Sequence, residues 1–179
     1  RPYPRKYVST WTCPDGQELT IRPIRPEDEP LMVDFHRSLS PETVFQRYMR
    51  NLGFDERTAH DRLVRICFLD YHREMALVAE CEHPDPDAPK IVGVGRLSRT
   101  FGTEDAQFAV LVTDERQGKG VGTELLRRLV DVARAEGVVE LSADMRADNL
   151  AMRRAAEKVG FTIVPGPSED VVHAEMRLG

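Results

Sequence analysis

A chain of 179 residues, 41% hydrophobic and 31% charged, can bury one substantial core without metals or staples, and one domain is the default. Its net charge of -5 leaves no basic surplus to hold nucleic acid, and no apolar run reaches membrane-spanning length, so neither nucleic acid nor membrane is an expected partner. Three scattered cysteines, Cys13, Cys67 and Cys81, argue against a disulfide framework or a zinc site and for a reducing compartment, the cytoplasm being the simplest reading.

Residues 1–7 are proline-rich and basic and read as an extended arm, with 1–15 as linker and 16–179 as the folded domain. After the Pro14-Asp15-Gly16 turn, Glu18 to Arg22 reads as a first strand. Pro26-Glu27-Asp28-Glu29 places proline and acids in a first helical turn, followed by Leu31, Met32, Phe35 and Leu39 at helical spacing. A second helix starts at Ser40-Pro41-Glu42, and Asp55 is expected to cap a third, with Leu63, Ile66 and Cys67 on its apolar face. Met75 to Cys81 and Ile91 to Leu97 are β-type runs joined by the turn-rich 83–87, which predicts a hairpin. Ala106 to Val112 is the next strand, and the helix over 121–136 stops at Gly137. Val138 to Met145 is a strand, Asp148 or Asn149 caps a helix ending at Gly160, and strands over 161–164 and 171–178 complete a mixed sheet flanked by helices, an α/β fold.

The most informative stretch is Arg116-Gln117-Gly118-Lys119-Gly120-Val121-Gly122, between an apolar strand and an amphipathic helix. Its glycines let backbone approach an anion closely, and N–H groups converge where the helix dipole favours negative charge. A pyrophosphate fits such a turn; the plain alternative is a tight connection. The dinucleotide fingerprint is absent, because Thr123 and Leu125 stand where its third glycine belongs. A nucleotide P-loop is excluded too, since Lys119 is followed by Gly120 instead of Ser or Thr.

Gln117, Gly120 and Gly122 meet the Q/R-x-x-G-x-G/A signature, and the turn thereby resembles that of the GNAT acyltransferases. Asn149 to Phe161 is similar to the helix and following strand that close the GNAT core, and the element order matches that fold. The resemblance implies acetyl-CoA as cosubstrate and no metal. It puts the pyrophosphate on Gln117, Gly118, Lys119, Gly120, Val121 and Gly122, and pairs the pantetheine arm with the backbone of Val110, Leu111 and Val112. An N–H near Val112 would support the thioester oxygen as charge develops on it. Asn149 stands where the family often reaches the pantetheine or the sulfur, and a plain helix cap is the equal alternative.

A lysine acceptor is mostly ammonium at neutral pH, so a carboxylate or an ordered water must take its proton. The family commonly places a Glu for this at the start of the fourth core strand. Gln107 stands there in this chain, and an amide cannot serve. The remaining candidates are Glu104 and Asp105, for which a solvated loop is the plainer role, and Asp144, on the strand where some family members carry a basic carboxylate. Ala156 stands where many members have an acid Tyr. The five histidines show no paired ligand spacing.

The N-terminal half narrows the resemblance. Tyr3-Pro4, Asp15-Gly16, the run from Leu19 to Leu31 and the run from Phe35 to Glu42 are similar to the GNAT domain of bacterial Pat-type protein lysine acetyltransferases. That family often carries an acyl-CoA-synthetase-like domain before this one, and it acetylates and switches off AMP-forming acyl-CoA synthetases. The resemblance therefore implies a synthetase as protein substrate. A small-molecule amine acetyltransferase and an acetyl-CoA-binding sensor domain are the alternatives, and Gln107 in place of Glu favours the sensor.

Overall fold

The structure is a computed structural model that describes residues 2–179. Eight strands form one sheet in the order β1-β2-β3-β4-β5-β6-β8-β7. These are β1 (Ser9–Thr12), β2 (Glu18–Pro23), β3 (Glu74–Cys81), β4 (Lys90–Arg99), β5 (Ala106–Val112), β6 (Glu140–Arg146), β7 (Thr162–Pro165) and β8 (Val171–Arg177). The helices are α1 (Glu29–Arg37), α2 (Pro41–Tyr48), α3 (Phe54–Arg57), α4 (His60–Cys67), α5 (Val121–Ala135) and α6 (Leu150–Val159). None is long and apolar enough to cross a membrane.

Two hydrophobic clusters sandwich the sheet. Leu125, Leu126 and Leu129 of α5 pack with Leu77, Leu97 and Leu141 on one face. Met32 and Phe35 of α1, Val44 of α2 and Leu63 of α4 pack with Ala76, Val78 and Val94 on the other. The approach of α5 is close enough to favour glycine on β4: a Cβ at Gly93 would lie 2.9 Å from Leu125 Cδ1. At the start of α1 a buried ion cluster replaces apolar packing. Arg22 Nη2 lies 2.7 Å from Asp28 Oδ1 and 2.9 Å from Glu80 Oε2, tying β2, β3 and the turn before α1 together. Burial alone would lower the Arg22 pKa, but the hydrogen bonds to Asp28 and Glu80 raise it.

Every neighbouring pair of strands is antiparallel except β5 and β6, which are parallel and joined through α5. Only Ala106↔Leu141 and Gln107↔Ser142 pair between them, after which the strands diverge. The gap that opens here positions the site.

Two expectations are corrected. The segment read as an extended arm contributes strand β1, paired with β2 from Ser9↔Ile21 to Thr12↔Glu18. Thr10 and Thr12 alternate with Trp11, a pattern too short and polar to separate from a loop by periodicity. Asp55 does not cap a helix that carries Leu63. It lies inside the short α3, whose N-cap is Gly53, and the chain breaks at Thr58 and Ala59 before α4 begins.

Candidate active site

Alternation along the strands sorts the two faces of the sheet. Ala106 and Phe108 are buried toward α5, so Gln107 stands on the opposite face. Leu97 likewise faces α5, leaving Arg96 and Ser98 with Gln107. On β6, Leu141, Ala143 and Met145 are buried toward α5, which puts Ser142 and Asp144 on that same opposite face. The registers Ser98↔Gln107, Gln107↔Ser142 and Asp144↔His173 join these residues into a polar stripe across the sheet. Helix α2 contacts both β5 and β6 across their gap.

Two cavities meet at this gap. The larger, ≈ 710 Å³, runs from the glycine turn along β5 between α2 and α6. The smaller, ≈ 400 Å³, holds Arg96, Ser98, Gln107 and Asp144. Gln46, Arg47, Val110, Asn149 and Met152 line both, so a ligand in one can react with a ligand in the other.

The glycine turn leaves a run of backbone amides available to an anion. Gly118 and Gly120 have φ of 74° and 88°, in the left-handed region that favours glycine, and Gly120 is the N-cap of α5. Among the described residues the amides of Gly118 to Thr123 donate to no acceptor, so six N–H groups remain free at a helix N-terminus. Gln117 departs from expectation. Its amide is used by Asp114 O at 3.3 Å, and its side chain donates to Thr43 Oγ1 and Val112 O, so it fastens the turn to α2 and β5. Arg116 is likewise occupied, by Asp15 at 3.0 Å. Arg154 and Lys158 of α6 line the larger cavity, are exposed and make no ion pair among the described residues.

Strand β5 offers hydrogen bonds along the same groove. Thr113 donates to Val92 O, which directs its backbone groups toward β4. By alternation Leu111 also points to β4, while Val110 and Val112 point into the gap where β6 has diverged. The expected triplet is therefore two residues, because the Leu111 backbone is already paired with β4. Asn149 is a helix cap, its Oδ1 accepting from Met152 N at 3.2 Å, and the residue also lines both cavities.

The four base candidates separate. Gln107 and Asp144 line the smaller cavity. Glu104 and Asp105 lie in the loop before β5 and line neither cavity, their carbonyls accepting from Val139 and Thr100. Asp144 Oδ1 lies 2.7 Å from His173 Nδ1, and His173 Nε2 lies 3.6 Å from Glu175. Ala156 is fully buried in α6 and lines neither cavity.

Sequence reading missed Arg47, Arg96 and His173. Arg47 follows Val44 by three residues on α2 and so shares its inward side; Arg96 interrupts the apolar run of β4 at an alternate position. Those positions carry the signal, visible once the buried face is known. Asp114 fixes α2 over the gap by accepting from Ser40 N at 2.9 Å and Thr43 Oγ1 at 3.1 Å. Partial burial opposes ionisation of Asp114, but these hydrogen bonds hold its carboxyl below the usual range.

Residues 18–162 match the Acetyltransferase (GNAT) domain family. An acetyltransferase of Pseudomonas aeruginosa is 34% identical over 161 residues, covering 89% of this chain and 84% of that protein. The acetyltransferase Pat of Mycolicibacterium smegmatis is 25% identical over 149 residues, 81% of this chain but 41% of its own length. The crystal structure of the GNAT domain of S. lividans PAT superposes with a TM-score of 0.87 at 24% identity, covering 99% of this chain and 100% of that one, and shares its fold. The chain belongs to the GNAT family of acetyl-CoA-dependent N-acetyltransferases.

Proposed function

We propose that the chain transfers the acetyl group of acetyl-CoA to a lysine side chain of an AMP-forming acyl-CoA synthetase and thereby regulates it. The observation that carries acetyl transfer is the continuity of the two cavities through the gap between β5 and β6. One cavity offers free amides and cations to a pyrophosphate, and the other offers a carboxylate to an incoming amine. The sequence relation to Pat, together with the run from Leu19 to Leu31, supports a protein lysine as acceptor.

In this reading the amides of Gly118 to Gly122 hold the pyrophosphate, Lys119, Arg154 and Lys158 add charge, and Val110 and Val112 pair with the pantetheine arm. The neutral amine attacks the thioester carbonyl carbon. The C–N bond forms, negative charge collects on the carbonyl oxygen near the Val112 amide, and the C–S bond then breaks. Asp144 takes the proton shed by the amine, with His173 fixing the carboxylate. The thiolate of CoA is protonated from solvent, since Ala156 offers no acid.

The test is incubation with radiolabelled acetyl-CoA and an AMP-forming acetyl-CoA synthetase, with and without its target lysine. Label on the intact synthetase alone is the expected result. A higher kcat/KM for any free small amine would overturn the choice of acceptor, and acetyl-CoA binding without turnover on any amine would favour a sensor.

A further inference from the structure

We infer that Arg47 of α2 and Arg96 of β4 form an anion subsite in the smaller cavity, and that the preferred acceptor carries a carboxylate close to the amine it presents. The inference rests on the acetyl-transfer reading only in taking that cavity as the acceptor side.

Arg47 lines both cavities, yet among the described residues it donates no hydrogen bond and no carboxylate lies within 4.0 Å of it. Its guanidinium carbon lies 4.7 Å from the centre of the Tyr48 ring. Arg96 is half satisfied. Its Nη2 lies 2.9 Å from Glu74 Oε2, while its Nε is buried with no partner. Burial, with Arg96 and Arg62 nearby, pushes the pKa of Arg47 down, so positive charge accumulates here against electrostatic resistance. Arginine stays ionised in proteins, and leaving a buried donor unpaired is unfavourable. A free acceptor groove lined by such groups is completed when a ligand anion enters it. The planar donors of a guanidinium match a carboxylate in two-point contact.

Asp144 lies in the same cavity, so the walls present one carboxylate and two guanidinium groups. An acceptor with an ammonium group and a nearby carboxylate is complementary to that arrangement. Two sources supply this chemistry: an acidic side chain beside a protein lysine, and the α-carboxylate of a free amino acid.

The test compares kcat/KM within matched pairs at low ionic strength. One arm uses lysine peptides with Glu or Gln next to the lysine. The other uses L-leucine and leucinamide, whose less basic amine favours the amide in the absence of any subsite. A preference of tenfold or more for the anionic member is expected in at least one arm, and the arm that shows it identifies the source. Arg47→Gln should reduce that ratio to near one, and Arg96→Gln should do the same. A thermal melt reports whether each variant is folded; if Arg96→Gln fails to fold, Arg47→Gln decides alone. A ratio near one in the unaltered protein, or one preserved in Arg47→Gln, overturns the inference. A uniform fall in kcat with the ratio preserved would instead put Arg47 on the thioester oxygen, which also overturns it. If acetyl-CoA neither binds nor is consumed with any acceptor, the acetyl-transfer reading itself fails, and the two failures are distinct.

Discussion

Asp144 and Gln107 face one cavity from neighbouring strands, and of the two only the carboxylate can accept a proton from an amine near neutral pH. Asp144→Asn is nearly isosteric and keeps one oxygen for His173. It should lower kcat at neutral pH by on the order of a hundredfold, with acetyl-CoA affinity little changed. Steady-state rates beside titration calorimetry check this, and an undiminished kcat would remove Asp144 as the base. Gln107→Glu should raise kcat by less than about tenfold if Asp144 serves as the base, as proposed. A larger gain would transfer the role to position 107. Elsewhere the chain keeps a potential nucleophile silent: burial pushes the Cys67 thiol up to about 12, far from the thiolate form at neutral pH.

At the scale of elements, the glycine turn divides its labour between fold and ligand. A side chain at Gly120 would have to adopt the left-handed conformation and place its Cβ 3.4 Å from Trp11 Cη2. Gly120→Ala should therefore cost about 1–2 kcal/mol of stability and weaken acetyl-CoA binding as well. Gly122 is different. A Cβ there would meet Val112 and Val110 at 3.5 and 3.8 Å, ordinary contact distances, while the residue lines the larger cavity. Gly122→Ala should leave the melting temperature near that of the unaltered protein, and the bulkier Gly122→Leu should sharply reduce affinity. Calorimetry paired with thermal melts distinguishes the two, and unchanged affinity in a folded Gly122→Leu protein would move the pyrophosphate elsewhere. On β4 the constraint is purely one of packing. Gly93→Ala would press on Leu125 Cδ1 and should destabilise by about 1–3 kcal/mol, read as a lower denaturant midpoint.

Across the whole molecule, stability is tied to pH through His36, which lines neither of the two cavities. His36 is 5% exposed in the cluster beneath α1 and α4. Its Nδ1 lies 3.3 Å from Arg57 Nη1, and because arginine can only donate, Nδ1 is the acceptor and the ring is neutral. Burial, then the charges of Arg57, Arg62 and Arg47, depress its pKa from 6.5 to about 4. The unfolded chain binds this proton first. Stability contributed by His36 is thus intact above about pH 6.5 and is lost as the pH falls toward 4, by on the order of 2–3 kcal/mol. Urea midpoints measured across this window should fall steadily. His36→Asn, which retains an acceptor for Arg57 without titrating there, should flatten the slope; an unchanged slope would assign the acid sensitivity to other groups.

Local chemistry sufficed for much of this protein. The strands over 74–81, 90–99 and 106–112, the Ser40-Pro41 helix start and the left-handed glycines of the turn follow from periodicity, capping and the lack of a Cβ, all of which act within a few residues. Tertiary structure decided what depends on partners distant in sequence. Strand β1 exists because β2 offers it an edge, and Gln117 is a fastener because Thr43 and Val112 come within reach. The divergence of β5 from β6 exposes Val110 and Val112 but not Leu111, and it unites Asp144 with Gln107 while excluding Glu104 and Asp105. The unpaired charge of Arg47 and the unpartnered Nε of Arg96 become visible only in the fold, since sequence shows which residues carry charge but not which donors are left without a partner when the chain closes around them.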